Sequence, residues 1–172
     1  MRRALPDYMA PGLDVVFVGI NPGLYSAERG HYYARPANLF WRALNESGLT
    51  AERLGPEDDE RLPAFGMGLT DVVARSSRGS ADLSADELAR GGRALLSRVR
   101  RCVPRIVCFN GLTGYRACFG RAATPGLQPD RIGQTRVYVV PSTSRRNAAY
   151  SPEAVIGHFR ALKEYLDEMK GS

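Results

Sequence analysis

Lysine is almost absent from this basic chain. Of 24 lysines and arginines only Lys163 and Lys170 are lysine, and both lie near the C-terminus. No motif therefore offers an amine for Schiff-base chemistry. Histidine is as scarce, with His31 and His158 sharing no motif. The cysteines Cys102, Cys108 and Cys118 are odd in number and form no CxxC. That supply argues against a disulfide framework, a zinc site or an iron–sulfur site, so no metal and no cofactor are expected. Reduced, buried thiols and a cytoplasmic location are the expectation instead. No apolar run approaches the roughly 20 residues of a membrane helix. Arg2-Arg3 is not followed by the apolar stretch of a secretory signal. Neither GxGxxG nor a Walker loop is present.

The 172 residues are 44% apolar, which suits one compact domain over 1–172 with a sizeable core. A monomer is expected. A net charge of +6 favours a polyanionic partner, because each cation placed on a phosphate releases counterions. Arginine also suits bidentate phosphate contacts. The charge excess also fits a generically basic soluble protein, and genome composition could produce the arginine bias.

The apolar pattern alternates between short runs and helical stripes. Residues 13–19 read as a buried strand, and 66–73, 105–109 and 135–140 read as three more. Asn38 caps a helix carrying Phe40, Trp41 and Leu44. Ser84-Ala85-Asp86-Glu87 is a capping-box pattern opening a helix with Leu88, Leu95, Leu96 and Val99 on one side. Asn110-Gly111 leads into a short helix through Tyr115 and Phe119. Pro152 starts a last helix, striped by Val155, Phe159, Leu162, Leu166 and Met169. This alternation predicts an α/β fold, a three-layer α/β/α arrangement around a short, mainly parallel sheet. Ligands bind such sheets at the carboxyl ends of the strands. Here those ends are Gly19-Ile20-Asn21-Pro22-Gly23, Leu69-Thr70-Asp71, Phe109-Asn110-Gly111 and Pro141-Ser142-Thr143-Ser144. All are polar or glycine-rich, so one rim is where chemistry is expected.

From spacing alone, Gly19-Ile20-Asn21-Pro22-Gly23-Leu24 is a tight turn. Proline fixes one dihedral, and glycine lets the backbone approach a ligand. An amide held there could orient a water. With Gly30-His31-Tyr32-Tyr33 and Asn38-Leu39-Phe40-Trp41, however, the turn resembles the mismatch-specific uracil-DNA and thymine-DNA glycosylase family. Pro141-Ser142-Thr143-Ser144-Arg145-Arg146-Asn147-Ala148 is similar to that family's Pro-Ser-Ser-Ser-Ala-Arg segment. Gly79-Ser80-Ala81-Asp82-Leu83-Ser84 and Gly91-Gly92-Arg93 match its middle region. The blocks run in the right order from about Val15 to the last helix.

The resemblance implies a uracil-DNA glycosylase-like domain. It would evert a base from double-stranded DNA carrying a mispaired or damaged base, and cleave the base–sugar bond. Asn21 then corresponds to the water-positioning asparagine and Tyr33 to the aromatic stacking on the everted base. Ile20 and Gly23 provide backbone at the base, with Asn110 also placed at the substrate. Preorganised N–H donors there would stabilise charge developing on the departing ring. Ser26 falls beside the base C5 position, where a larger wall than the alanine of thymine-cleaving relatives would favour uracil. Arg146, with neighbour Arg145, aligns with the intercalating arginine. Ser142 and Ser144 would contact phosphates. A glycine–leucine wedge used by some relatives is missing.

Asp71 departs from the family, whose members commonly carry lysine or asparagine there. A carboxylate could accept a proton from the attacking water. The plainer reading is an exposed loop aspartate or a helix-cap partner. Arg75, Ser77 and Arg78 form a basic polar loop, a phosphate contact or simply surface. Arg90, Arg93, Arg98, Arg100 and Arg101 read as the solvated side of a helix. His31 and His158 receive no catalytic role. A non-catalytic DNA-binding domain and a hydrolase of free nucleosides remain competing readings.

Overall fold

The computed structural model describes residues 3–146 and 148–171; Met1, Arg2, Asn147 and Ser172 lie outside the described residues. Asn147 belongs to the block resembling the Pro-Ser-Ser-Ser-Ala-Arg segment. A five-stranded sheet has the order β2-β1-β3-β5-β4, with β1 Val15–Gly19, β2 Met67–Asp71, β3 Ile106–Asn110, β4 Gly126–Ile132 and β5 Thr135–Val140. The pairs β1–β2, β1–β3 and β3–β5 are parallel; β4–β5 is antiparallel.

Every residue of β1, β2 and β3 is buried, as expected of strands covered on both faces. Along β1, Val15 and Phe17 point into one core layer, and Val16 and Val18 into the other. The first layer is closed by α2 (Phe40–Glu46) and α5 (Pro152–Gly171). In it Phe17 stacks on Phe159 and meets Phe40 edge-on. The second layer is closed by α3 (Ala85–Cys102) and α4 (Leu112–Phe119). The capping box opening α3 is formed: Ser84 Oγ accepts from the Glu87 N–H, and Glu87 accepts from the Ser84 N–H. Gly91 and Gly92 let α3 lie close to its neighbours. A Cβ would stand 2.3 Å from the Val72 carbonyl oxygen at Gly91, and 2.6 Å from that of Ala117 at Gly92.

Three elements were not legible in the sequence pattern. β4 carries Pro129 and alternates partly buried with exposed residues, because it is the outer antiparallel edge and needs no apolar run. The segment after β1 contains a short helix, α1 (Leu24–Arg29), ended by Gly30 in the left-handed region at φ 77°. Residues Pro56–Phe65 form a 3-10 helix. At the opposite edge of the sheet, the N-terminal segment lies along β2. Tyr8 and Leu69 exchange both backbone hydrogen bonds at 2.9 Å, and the Ala4 N–H donates to the Ala74 carbonyl.

Candidate functional site

Parallel neighbours end at the same level, so β2, β1, β3 and β5 deliver Asp71, Gly19, Asn110 and Val140 to one rim. Hydrogen bonds then join the loops that follow. The Asn21 amide donates to the Arg75 carbonyl (2.9 Å) and to Ser77 Oγ (2.8 Å). Ser77 Oγ in turn donates to the Gly79 carbonyl (2.8 Å), and the Ser77 N–H donates to Pro22. Both amide hydrogens of Asn21 are thereby used, and its orientation is fixed. The group left to face a ligand is the Oδ1 acceptor.

Tyr33 sits at φ 52°, a left-handed conformation rare for a side chain of this size. Such strain costs about 1–3 kcal/mol and persists where the surroundings over-determine it. They do so here. The Tyr32 N–H donates to buried Asp59, the Tyr32 hydroxyl to the Pro6 carbonyl, and Trp41 Nε1 to the Tyr32 carbonyl. The Ala34 N–H donates to Ser26 Oγ (3.0 Å). Tyr32 thus belongs to the core, and Tyr33 is turned toward the rim. One face of its ring stacks on Phe40, with centroids 4.3 Å apart. Its buried hydroxyl lies beside Asn110 but makes no well-aligned hydrogen bond among the described residues.

That hydroxyl converges with Asp71 on Gly19. A Cβ built at Gly19 would stand 2.4 Å from Asp71 Oδ1 and 3.1 Å from the Tyr33 hydroxyl. Asp71 is only 3% exposed. The reading of Asp71 as an exposed loop or cap residue is corrected, because alternation along β2 turns its side chain to the same face as Met67 and Leu69. Burial raises its carboxyl from an ordinary 3.8 to about 7; Arg3 and Arg98 oppose the rise and Asp7 adds to it. Burial, with Asp71 next, holds the Tyr33 phenol above its ordinary range.

Asn110 is buried and clamps the next loop: its amide donates to Thr143 Oγ1 (2.8 Å), and its Oδ1 accepts from the Thr143 N–H (2.9 Å). The Thr143 carbonyl accepts from the Leu39 N–H, tying this loop to the start of α2. Ser142 and Ser144 are exposed, and each hydroxyl accepts a backbone N–H two residues on. Arg146 donates to the Arg78 carbonyl and Arg145 to the Tyr150 carbonyl. The loops around Asn21, Arg78 and Arg146 are therefore continuous. The Ile20 carbonyl is used by the Val73 N–H. Gly23 has φ −67°, open to any residue, but a Cβ there would meet nothing within 4 Å, so the surface beside it is free for close approach.

Several sequence readings change. Arg75 is held by Glu87 (2.7 and 2.8 Å) and by the Asp82 carbonyl; the guanidinium keeps Glu87 at about 2. It braces the loop that orients Asn21, and Ser77 is buried beneath it, leaving Arg78 as the exposed cation. Arg98 leaves the solvated face of α3 to bond Thr70 Oγ1 and the Asp71 carbonyl. Ser77, Thr143 and Asp59 were missed as supports, because nothing in their sequence neighbourhood reveals contacts 56, 33 and 27 residues away. Both lysines are remote from the rim. Lys170 pairs with Asp14, just before β1 begins, and Lys163 with Asp167 on its own helix. Among the described residues no group of three or more His, Cys, Asp or Glu could hold a metal, and no helix is long and apolar enough to cross a membrane.

The pattern of the Uracil DNA glycosylase superfamily matches residues 6–170. The fold is shared with a solution NMR structure from Methanosarcina acetivorans, itself provisionally named a uracil DNA glycosylase. The TM-score is 0.62 at 21% identity, over 96% of this chain and 98% of that one.

Proposed function

Because the chain belongs to the uracil DNA glycosylase superfamily, which implies uracil-DNA glycosylase activity in general, we propose that it is the mismatch-directed kind. It everts uracil, above all uracil opposite guanine, from double-stranded DNA. It hydrolyses the N-glycosidic bond as a monomer and leaves an abasic site for base excision repair. The observation that carries this reading is Asn21, its amide nitrogen locked by Ser77 and the Arg75 carbonyl so that its oxygen is the group left for a ligand, on the loop leaving Gly19 where Asp71 and Tyr33 meet.

In the proposed reaction the uracil lies against Tyr33, with backbone of Ile20 and Gly23 beside it. Asn21 Oδ1 accepts a hydrogen bond from the attacking water, and Asp71 takes its proton. Before that proton moves, the base–sugar bond breaks with its electron pair going to uracil, which leaves as an anion, and the still-ionised Asp71 carboxylate lowers the energy of the oxocarbenium-like sugar. The Ser26 hydroxyl is fixed by the Ala34 N–H. As a rigid wall at C5 it favours uracil over thymine by the roughly 1–3 kcal/mol that a methyl is worth. Ser142, Ser144, Arg78, Arg145 and Arg146 form the DNA-facing edge, Arg146 being the side chain that would enter the vacated stack.

No lysine approaches the rim, so the enzyme is proposed to be monofunctional. The test is base release from matched duplexes carrying G·U, G·T or A·U and from single-stranded U, with Asn21→Ala and Asp71→Ala alongside. Fastest release from G·U, with strand breaks only after alkali, is expected. DNA binding without release of uracil from any substrate would return the chain to a non-catalytic binding role. Incision without alkali would overturn the monofunctional assignment.

A further inference from the structure

The rear of Asp71 is occupied by charge from two distant segments. Arg3, on the strap along β2, and Arg98, on α3, each donate to the Asp71 backbone carbonyl at 3.0 Å. Arg98 also donates to Thr70 Oγ1 (3.1 Å), which donates to Asp7 Oδ1 (2.6 Å). Asp7 pairs with Arg3 Nε at 3.1 Å and Arg98 Nε at 3.4 Å, yet both Nε groups are buried without a well-aligned hydrogen bond. Among the described residues two guanidinium groups thus share the Asp7 carboxylate, which leaves an excess of positive charge beside Asp71. The remaining ionisable groups acting on Asp71 or sensing it are Tyr33 and Tyr32.

We propose that Arg3 and Arg98 are positioning residues for Asp71: their guanidinium pair anchors the peptide that aims its carboxylate at Gly19 and favours the ionised form of that carboxylate, with Asp7 setting how much of their charge it feels. This rests on the reading of Asp71 as the base. The direction of each influence agrees, since both arginines favour the charged form of Asp71 and Asp7 disfavours it.

The test is the pH dependence of single-turnover uracil release, with a ¹³C NMR titration of the Asp71 carboxyl, in wild type, Arg98→Gln, Arg98→Lys, Arg3→Gln, Asp7→Asn and Asp71→Asn. Arg98→Gln and Arg3→Gln should raise the acid-limb midpoint. A one-unit rise from about 7 lowers the ionised fraction at pH 7 about fivefold. Arg98→Lys should restore most of the shift, and Asp7→Asn should move the midpoint the opposite way. A purely structural role predicts lower melting temperatures with the midpoint and the NMR titration unmoved, which overturns the proposal. If Arg98→Gln does not fold, Arg3→Gln and Asp7→Asn decide by the same signs. Should Asp71→Asn keep the wild-type rate and acid limb, the reading of Asp71 as base fails, while the NMR titration still judges the arginines.

Discussion

Replacing Asp71 by asparagine should make the protein more stable and less active. The carboxyl has a folded-state value of about 7 against an ordinary 3.8. Folding therefore holds that proton more tightly than the unfolded chain does. The benefit is complete below the unfolded value near 4 and is lost as pH rises through 7. Above that, the buried charge costs about 4 kcal/mol, from three units at 1.36 kcal/mol each. Asparagine has nearly the same shape and no charge, and its amide can meet the Tyr33 hydroxyl, which lacks a well-aligned partner. Asp71→Asn should thus gain about 2–4 kcal/mol at pH 8, but only about 1.5 kcal/mol at pH 5, where the wild-type group is protonated. Urea unfolding followed by the fluorescence of Trp41, the single tryptophan, measures both. Uracil release by the same variant should fall about 10²–10⁴-fold, the usual worth of a general base. A variant equally stabilised at both pH values, or destabilised at pH 8, would refute the argument. The residue would then be solvated or paired in a way its 3% exposure does not suggest.

Ser77→Ala removes an acceptor from the Asn21 amide. Base release should slow about tenfold with little change in DNA affinity, as single-turnover rates and a binding titration would show. Gly19→Ala places a methyl 2.4 Å from Asp71 Oδ1. It should abolish measurable release and lower the melting temperature, because the atoms in the way are packed. Arg146→Ala should weaken binding to a G·U duplex and lessen its salt dependence by about one counterion while leaving the fold intact, as fluorescence anisotropy at several salt concentrations would reveal. Ser26→Ala leaves the Ala34 N–H without its acceptor. It should cost about 1–2 kcal/mol of stability and raise the ratio of thymine to uracil release.

The strands β1, β2, β3 and β5 and helices α2 to α5 could be read from the chain, because burial on both faces leaves unbroken apolar runs and helices against a sheet leave stripes. β4 could not. An edge strand that needs no apolar run, interrupted by Pro129, has the composition of a loop. Arg75 and Arg98 show the same limit for charge. An arginine bound for solvent and one bound for a buried carbonyl look alike until the partner is in place.

The sequence by itself determined that strand ends rich in Asn, Gly, Ser and Asp would meet at one rim, since periodicity and turn chemistry are properties of neighbouring residues; Asn21 and Tyr33 are marked out there only by resemblance to a known family. Only the tertiary structure decided what those side chains are. Asp71 is buried over Gly19, Asn21 has its amide spent on a loop 54–56 residues away, and Tyr33 is held in a strained conformation by Ser26, Asp59 and Trp41. Burial and the approach of remote charges set both orientation and ionisation, and neither can be read from sequence spacing.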